Sequence, residues 1–327
     1  MQSLADILPP DVLAFVRGRV AGEFATVSAA GIAIDTPTYI FPSADLTSVD
    51  VGTGLAYPAK AERARRNPQV GMLIEGNGDD PVVSIAGFAA VHDANIQANV
   101  ERYIAETIFA PNVNPDVVPW EQTRQRLYYL ARVIVAVTPA HVRWWPTRRA
   151  MDEAAIEWRA PAGATFPASD PPPPGAPTKA PTWPQRSWQE LADQALASGS
   201  PGHLTLLDED GFPVPLRVDE IARSDEGFLC RVPRAAPWAA GTGTLSFLGK
   251  EVFVGAARPA GGVTRFVVER ALPVLPMMQD RENLSREALA GLNGRLAEEL
   301  KRRGLVLPVL PLQPPAPTEG ALLRAAG

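Results

Sequence analysis

Short apolar and β-branched runs recur through residues 1–150, and the polar, Gly- and Pro-bearing interruptions mark where the chain turns or coils. Glu23-Phe24-Ala25-Thr26-Val27-Ser28, followed by Ala30-Gly31, predicts a strand entering a hairpin, with Ile32 to Phe41 as the return strand. Further strands are expected over Ser48 to Gly52, Val70 to Ile74 and Val82 to His92, the last two joined by a turn over Gly76 to Pro81. Lys60 to Arg66 predicts a short basic helix that Asn67-Pro68 stops, because proline pushes the residue before it out of the helical region. Pro9-Pro10-Asp11 opens another helix reaching about Arg17. Asp93 is expected to cap a helix with Ile96, Val100, Tyr103 and Ile104 on one face, ending before Pro111. A shorter helical stretch over Trp120 to Leu127 leads into the β-branched run Arg132 to Val137. Several closely spaced strands with only brief helices argue for a barrel.

The second half reads as a degenerate copy of the first. Gly202 to Gly211 parallels Phe24 to Gly31, and Phe228 to Pro237 parallels Val49 to Pro58, with further strands at Thr244 to Leu248, Glu251 to Ala256 and Val263 to Glu269. A repeat of this size means a duplicated domain. The same spacing sets Ala239 against Lys60 and Val232 against Thr53. A helix over Leu284 to Arg303 carries Leu289, Leu292, Leu296 and Leu300 as one apolar stripe and is expected to pack on its own domain.

Proline changes this picture: 34 of 327 residues is about twice ordinary usage, and the excess is concentrated in two stretches. Ala160 to Pro184 predicts an extended, semi-rigid connector, and Leu307 to Gly327 a tail lying loosely on the surface. The expected organisation is a first domain over 1–150, a linker over 151–184, a second domain over 185–305 that includes the C-terminal helix, and a tail over 306–327. The formal charge of −5 supplies no broad basic field, so neither nucleic acid nor an anionic membrane is an expected partner. A single cysteine, Cys230, excludes an intramolecular disulfide framework, and no apolar run approaches a membrane span. A cytoplasmic protein is expected.

The candidate chemistry lies where the third strand meets the basic helix. Gly52, Thr53 and Gly54 allow close backbone approach, and Lys60 and Arg63 stand three apart on one helical face, an arrangement suited to a phosphate. His92, His141 and His203 match no zinc spacing, and neither a dinucleotide fingerprint, a P-loop nor a nucleophile elbow is present.

Ala25 to Gly31, Lys60 to Val70, Ser84 to Val91 and Val137 to Trp145 occur in the order seen in pyridoxamine 5′-phosphate oxidase-like, FMN-binding split β-barrels, which residues 10–150 resemble. The resemblance implies a mainly β fold with short helices (α+β), built as tandem split barrels, and FMN as cofactor, with a deazaflavin or haem as the other groups related barrels hold. By the same resemblance Thr53 and Lys60 meet the phosphate, Arg63 or Arg66 supports them, Thr36, Thr38 and Ser84 lie under the ring or ribityl chain, and Trp145 walls the ring. Tyr57-Pro58-Ala59 in place of a Ser-Arg-Lys triplet, and Pro146 to Arg149 in place of the substrate-phosphate motif, argue against pyridoxamine phosphate as substrate. Two functions follow: an FMN-dependent oxidoreductase acting on a small molecule, or a non-catalytic flavin- or haem-binding sensor or carrier. Because family members close their site with a second barrel, the expected assembly is an intramolecular pseudo-dimer or a homodimer.

Overall fold

The computed structural model describes residues 2–110, 113–178, 186–234, 236–248, 250–273 and 286–326. Two short helices, α1 (Leu4–Ile7) and α2 (Pro10–Gly18), precede the strands β1 (Ala21–Val27), β2 (Ala33–Pro42) and β3 (Val49–Gly54). Helix α3 (Ala59–Arg66) follows, then β4 (Gln69–Glu75) and β5 (Val82–His92), helices α4 (Ile96–Thr107), α5 (Trp120–Arg124) and α6 (Leu127–Leu130), and the long β6 (Arg132–Trp145). The sheet order is β3-β2-β1-β4-β5-β6, and pairing of β3 with β6 closes six strands into a barrel. A strand not foreseen in the sequence, β7 (Ile156–Arg159), pairs with the end of β6.

Register decides what each strand buries, since residues directly opposite share a face. Phe24 faces Met72, Thr26 faces Val70, and these fill the barrel interior, while Glu23, Ala25, Asp35, Gly71, Leu73 and Glu75 point outward. The cap of α4 is Asn95, whose side chain accepts from the Ala98 amide. Asp93, the expected cap, is instead held by Arg65 at 2.8 Å and Arg303 at 3.3 Å.

The second half contains α7 (Trp188–Ala197) and strands β8 (Gly202–Leu207), β9 (Pro213–Arg217), β10 (Glu220–Ser224), β11 (Gly227–Arg231), β12 (Gly241–Phe247), β13 (Glu251–Ala260) and β14 (Val263–Ala271). The order β9-β8-β12-β13-β14-β11 repeats β2-β1-β4-β5-β6-β3 strand for strand. The difference lies where β2 runs unbroken and pairs with both β1 and β3. Its counterpart is split into β9 and β10 at Val218-Asp219, whose amides bond to the Gly202 and Arg231 carbonyls. The sheet therefore curls without a continuous closing strand, and the chain is built of two split barrels in tandem.

The first hairpin turn is made again in the second half. Ser28–Gly31 and Asp208–Gly211 form the same two backbone bonds, and Gly31 and Gly211 both take positive φ, as tight turns of this kind require. By that alignment Glu23 corresponds to His203, Ala33 to Pro213 and Asp35 to Pro215, and through the neighbouring strand Gly71 corresponds to Thr244.

Two expectations are corrected by packing. The C-terminal helix, α8 (Arg286–Arg303), lies on the first barrel: Leu292, Leu296 and Leu300 join its core, and Arg295 Nε donates to the Ala56 carbonyl at 2.8 Å. The beginning of its predicted span lies outside the described residues. The tail is docked as well, since α9 (Glu319–Ala326) packs on α2 and α4 through a buried Arg324–Glu106 ion pair. Trp120 Nε1 bonds to the Pro311 carbonyl at 3.0 Å. The connector is pinned where described: Asp170 accepts the amides of Asp93 and Ala94, and Ser169 Oγ accepts that of Val91.

Candidate functional site

Lys60 is the second residue of α3, placed by the loop that leaves β3. The residue is half-buried, and desolvation, with the charges of Arg63 and Arg132 nearby, pushes its pKa down from 10.5 to about 8, against the pull of Asp35 and Glu23. Among the described residues no carboxylate lies within 4.0 Å of it, so it has no contact ion pair. Arg63 is committed to the barrel, with Nε donating to Thr26 Oγ1 at 2.7 Å, and burial beside Arg66 lowers its pKa to about 10.

The other sequence-predicted residues divide between the two faces of the wall. Thr36 lies opposite Phe24, Thr38 opposite Gly22, and Thr53 is two residues on from Val51, which lies opposite Ile40; all three threonines share the inner face. The Thr36 hydroxyl is buried with no hydrogen-bond partner. Ser84, opposite Leu73, and Trp145, opposite Val82, are on the outer face. Trp145 is packed with Leu73, Val82 and Met151 in the core shared with the second sheet, and its indole N–H donates to the Glu153 carbonyl at 3.1 Å. The inner-face threonines and the pair Ser84 and Trp145 are thus separated by the thickness of the barrel wall.

A second cluster, not foreseen, lies where the curled sheet covers that outer face. His203 Nε2 is 2.9 Å from Glu75 Oε1, and its Nδ1 is 3.5 Å from Glu23 Oε1. Glu75 also meets Arg148 at 3.1 Å and Arg217 at 3.8 Å. Burial drives the Glu23 carboxyl well above its ordinary range, with the neighbouring Asp35 adding to the effect. Asp35, fully buried, is raised by the same desolvation, which His203, Glu23 and Lys60 only partly offset. Glu75 goes the other way: despite its burial, the bond from His203 and the charges of His203, Arg148 and Arg217 hold it below the usual carboxylate range. The Asp35 amide donates to Thr244 Oγ1 at 3.2 Å, and that hydroxyl donates to the Ala33 carbonyl at 3.1 Å.

The sequence held a signal for this cluster. Two acidic residues on strands otherwise rich in apolar and β-branched residues, in a hairpin whose turn fixes the register, fall on one face. A buried pair of carboxylates needs a partner surface.

Beyond β3, Arg132 lies under the helices. Its guanidinium sits 4.5 Å from the Tyr103 ring and 4.1 Å from that of Tyr129. Burial works against its charge, but Tyr103, Tyr129, Tyr57 and Tyr39 together keep its pKa above the ordinary value.

No family model matches the chain, and no curated protein matches it. Solved structures similar to it include a putative pyridoxamine 5′-phosphate oxidase from Listeria innocua, 20% identical over 42% of this chain and 96% of that one, with a TM-score of 0.30. A pyridoxamine 5′-phosphate oxidase-related, FMN-binding protein from Nostoc punctiforme is 14% identical over 42% of this chain and 84% of its own, with a TM-score of 0.31. The heme storage protein HutZ from Vibrio cholerae is 14% identical over 40% and 89%, with a TM-score of 0.30. Overlaps of this size carry no weight in assigning the fold, which rests on the strand order and closure described above. Among the described residues no helix is long and apolar enough to cross a membrane, and no group of three metal-ligating side chains could hold a metal ion.

Proposed function

We propose that the first barrel binds FMN and serves as a cytoplasmic oxidoreductase on a small substrate, with Lys60 meeting the phosphate. The observation that supports this most is the state of Lys60: a half-buried cation whose surroundings push its pKa down to about 8, with no carboxylate in contact, gains from an incoming dianion through charge-assisted hydrogen bonds. The buried, unpartnered hydroxyl of Thr36 also fits a ligand that supplies a polar group. Thr53 and Arg63 complete the proposed set at the phosphate end, Arg63 by its charge alone since its Nε is already bonded to Thr26. When bound, FMN supplies hydride or electron transfer, and the chain's residues bind, orient and keep water out.

The second sheet serves in this reading as a built-in partner, an intramolecular pseudo-dimer in place of two chains. Haem is disfavoured by the histidines. His92, His141 and His203 each face a carboxylate, Asp170, Glu157 and Glu75 respectively, so ligation would have to draw on an imidazole already engaged.

The purified protein is expected to be yellow or to take up added FMN. Lys60→Ala should weaken FMN by roughly tenfold or more, for a charge-assisted bond of about 1.5 to 3 kcal/mol. A colourless protein that takes up no FMN, or unchanged affinity in the variant, overturns the assignment. A Soret band instead of flavin bands supports haem. The pseudo-dimer predicts a flavin-binding monomer by mass measurement in solution, and a flavin-binding homodimer that dissociates together with its flavin contradicts it.

A further inference from the structure

Residues 305–317 cross the helices of the first barrel as a strap between two anchors. Upstream, Arg303 at the end of α8 is paired with Asp93 and Glu62; downstream, Thr318 Oγ1 donates to Glu106 Oε2 at 2.9 Å, ahead of the Arg324–Glu106 pair. Between the anchors the strap is gripped by its backbone. Gln97 of α4 accepts the Val309 amide at 2.8 Å and donates to the Val309 carbonyl at 3.0 Å, and Trp120 of α5 donates to the Pro311 carbonyl at 3.0 Å. Exposure along the strap has a period of three: Leu305, Pro308 and Pro311 are buried or half-buried, while Val306, Val309 and Leu312 are 86%, 74% and 76% exposed. That is the period of a polyproline II helix, which has no internal hydrogen bonds and docks in aromatic-walled grooves. Leu310 adds one buried side chain to the barrel core. Pro308 and Pro311 lack the amides a strand needs, so the segment is a poor sheet edge.

Two features mark this contact as exchangeable. The Gln97 bonds are open to water, and the outward aliphatic side chains gain nothing from docking, so residues 306–317 lift at little cost while both anchors stay in place. Bonds aimed at backbone groups also serve any segment of the same shape. We propose that the groove across the starts of α4 and α5 is a binding site for an extended, uncharged, proline-bearing peptide of a partner protein, filled in the free chain by its own tail. The seated segment defines the ligand class: prolines three apart, as Pro308 and Pro311 are, with an aliphatic side chain directly before the second to take the place of Leu310. No residue of the groove belongs to the proposed flavin set, so the peptide site stands or falls apart from the flavin reading.

The test uses the full-length chain and a fluorescein-labelled peptide of residues 305–313, with binding read by fluorescence anisotropy. Leu310→Asp sets a charge at the tail's own buried position, which unseats the tail and leaves every groove residue as it is. That variant should bind the peptide, and wild type should bind it about tenfold more weakly because its own tail must lift first. Gln97→Leu added to Leu310→Asp should weaken binding about tenfold, since both bonds to the Val309 position are lost, and a peptide that itself carries Leu310→Asp should not bind. No binding to the Leu310→Asp chain, or binding indifferent to Gln97→Leu or to the altered peptide, overturns the site. Equal binding to wild type and Leu310→Asp places the peptide elsewhere and overturns it too. Binding to the variant with none to wild type at about a hundredfold higher concentration makes the tail a fixed part of the fold and overturns the exchange. Each variant is accepted only with wild-type circular dichroism, and if Leu310→Asp fails that criterion, Leu310→Ser takes its place.

Discussion

The two barrels share a strand order and part company in what fills and closes them. The first is closed by one unbroken strand, β2, and keeps Thr36, Thr38 and Thr53 on its inner face. The second splits that strand at Val218-Asp219 and packs Phe228, Phe247 and Phe253 against one another, with ring centroids 5.1 to 6.0 Å apart. Polar inner positions leave groups for a ligand to satisfy; an interlocked aromatic trio leaves none. The contrast teaches that a duplicated fold can diverge, one copy keeping polar inner positions and the other packing an aromatic interior while it covers the first copy's outer face.

The cover is nearly self-complementary. Gly71 of the first copy meets Pro213 and Pro215 of the second, and Thr244, the counterpart of Gly71, meets Ala33 and Asp35, the counterparts of those prolines. Glu23 and its counterpart His203 touch each other. Reciprocal contacts of this kind are the mark of a two-fold interface, here between two halves of one chain.

The sharpest way to break that relation is Gly71→Val. A Cβ at Gly71 would stand 1.7 Å from the Pro213 carbonyl oxygen, a backbone atom that cannot rotate away, so the sheet must lift from the barrel. A loss of about 4 kcal/mol is expected in urea unfolding, with the halves separating before either melts. A single transition at the wild-type midpoint would mean that the seam is looser than described. Next in size is Leu296→Ala on α8. If this helix belongs to the first barrel, the loss of about 3 kcal/mol should fall on the transition that also exposes Trp120 and Tyr103, leaving that of the Phe228 cluster unmoved.

The strands were legible because they are runs of apolar and β-branched residues, and their turns carry Gly, Asn and Pro at the positions turn geometry demands. The place of Lys60 at the start of a short basic helix was also available from local sequence. What was not legible is long-range. The leucine stripe of α8 specifies an apolar partner but not which one, and the helix crosses to the first barrel because Arg295, Arg302 and Arg303 find Ala56, Glu62 and Asp93 there. The tail is proline-rich and reads as loose, yet one buried Arg324–Glu106 pair docks it. Neighbours on one strand, Trp144 and Trp145 face opposite sides, and that Trp145 is taken up by the seam depends on the second sheet being there at all.

The smallest expected effect separates the copies by charge. Lys60 titrates near 8 in the folded chain and near 10.5 when exposed, so between those values the unfolded chain binds more protons than the folded one. Stability attributable to Lys60 therefore rises as pH climbs from 8 to 10.5, and is lost again on acidification through the same window. Because part of the side chain reaches solvent, about 1 kcal/mol is a reasonable size for the change. Lys60→Met should remove that rise, flattening the urea midpoint between pH 8 and 10.5 relative to wild type, and Ala239→Ser, at the corresponding position of the second copy, should leave the wild-type slope intact. Parallel curves for wild type and Lys60→Met would show that the ammonium is solvated after all, and would erase the electrostatic distinction between the two barrels.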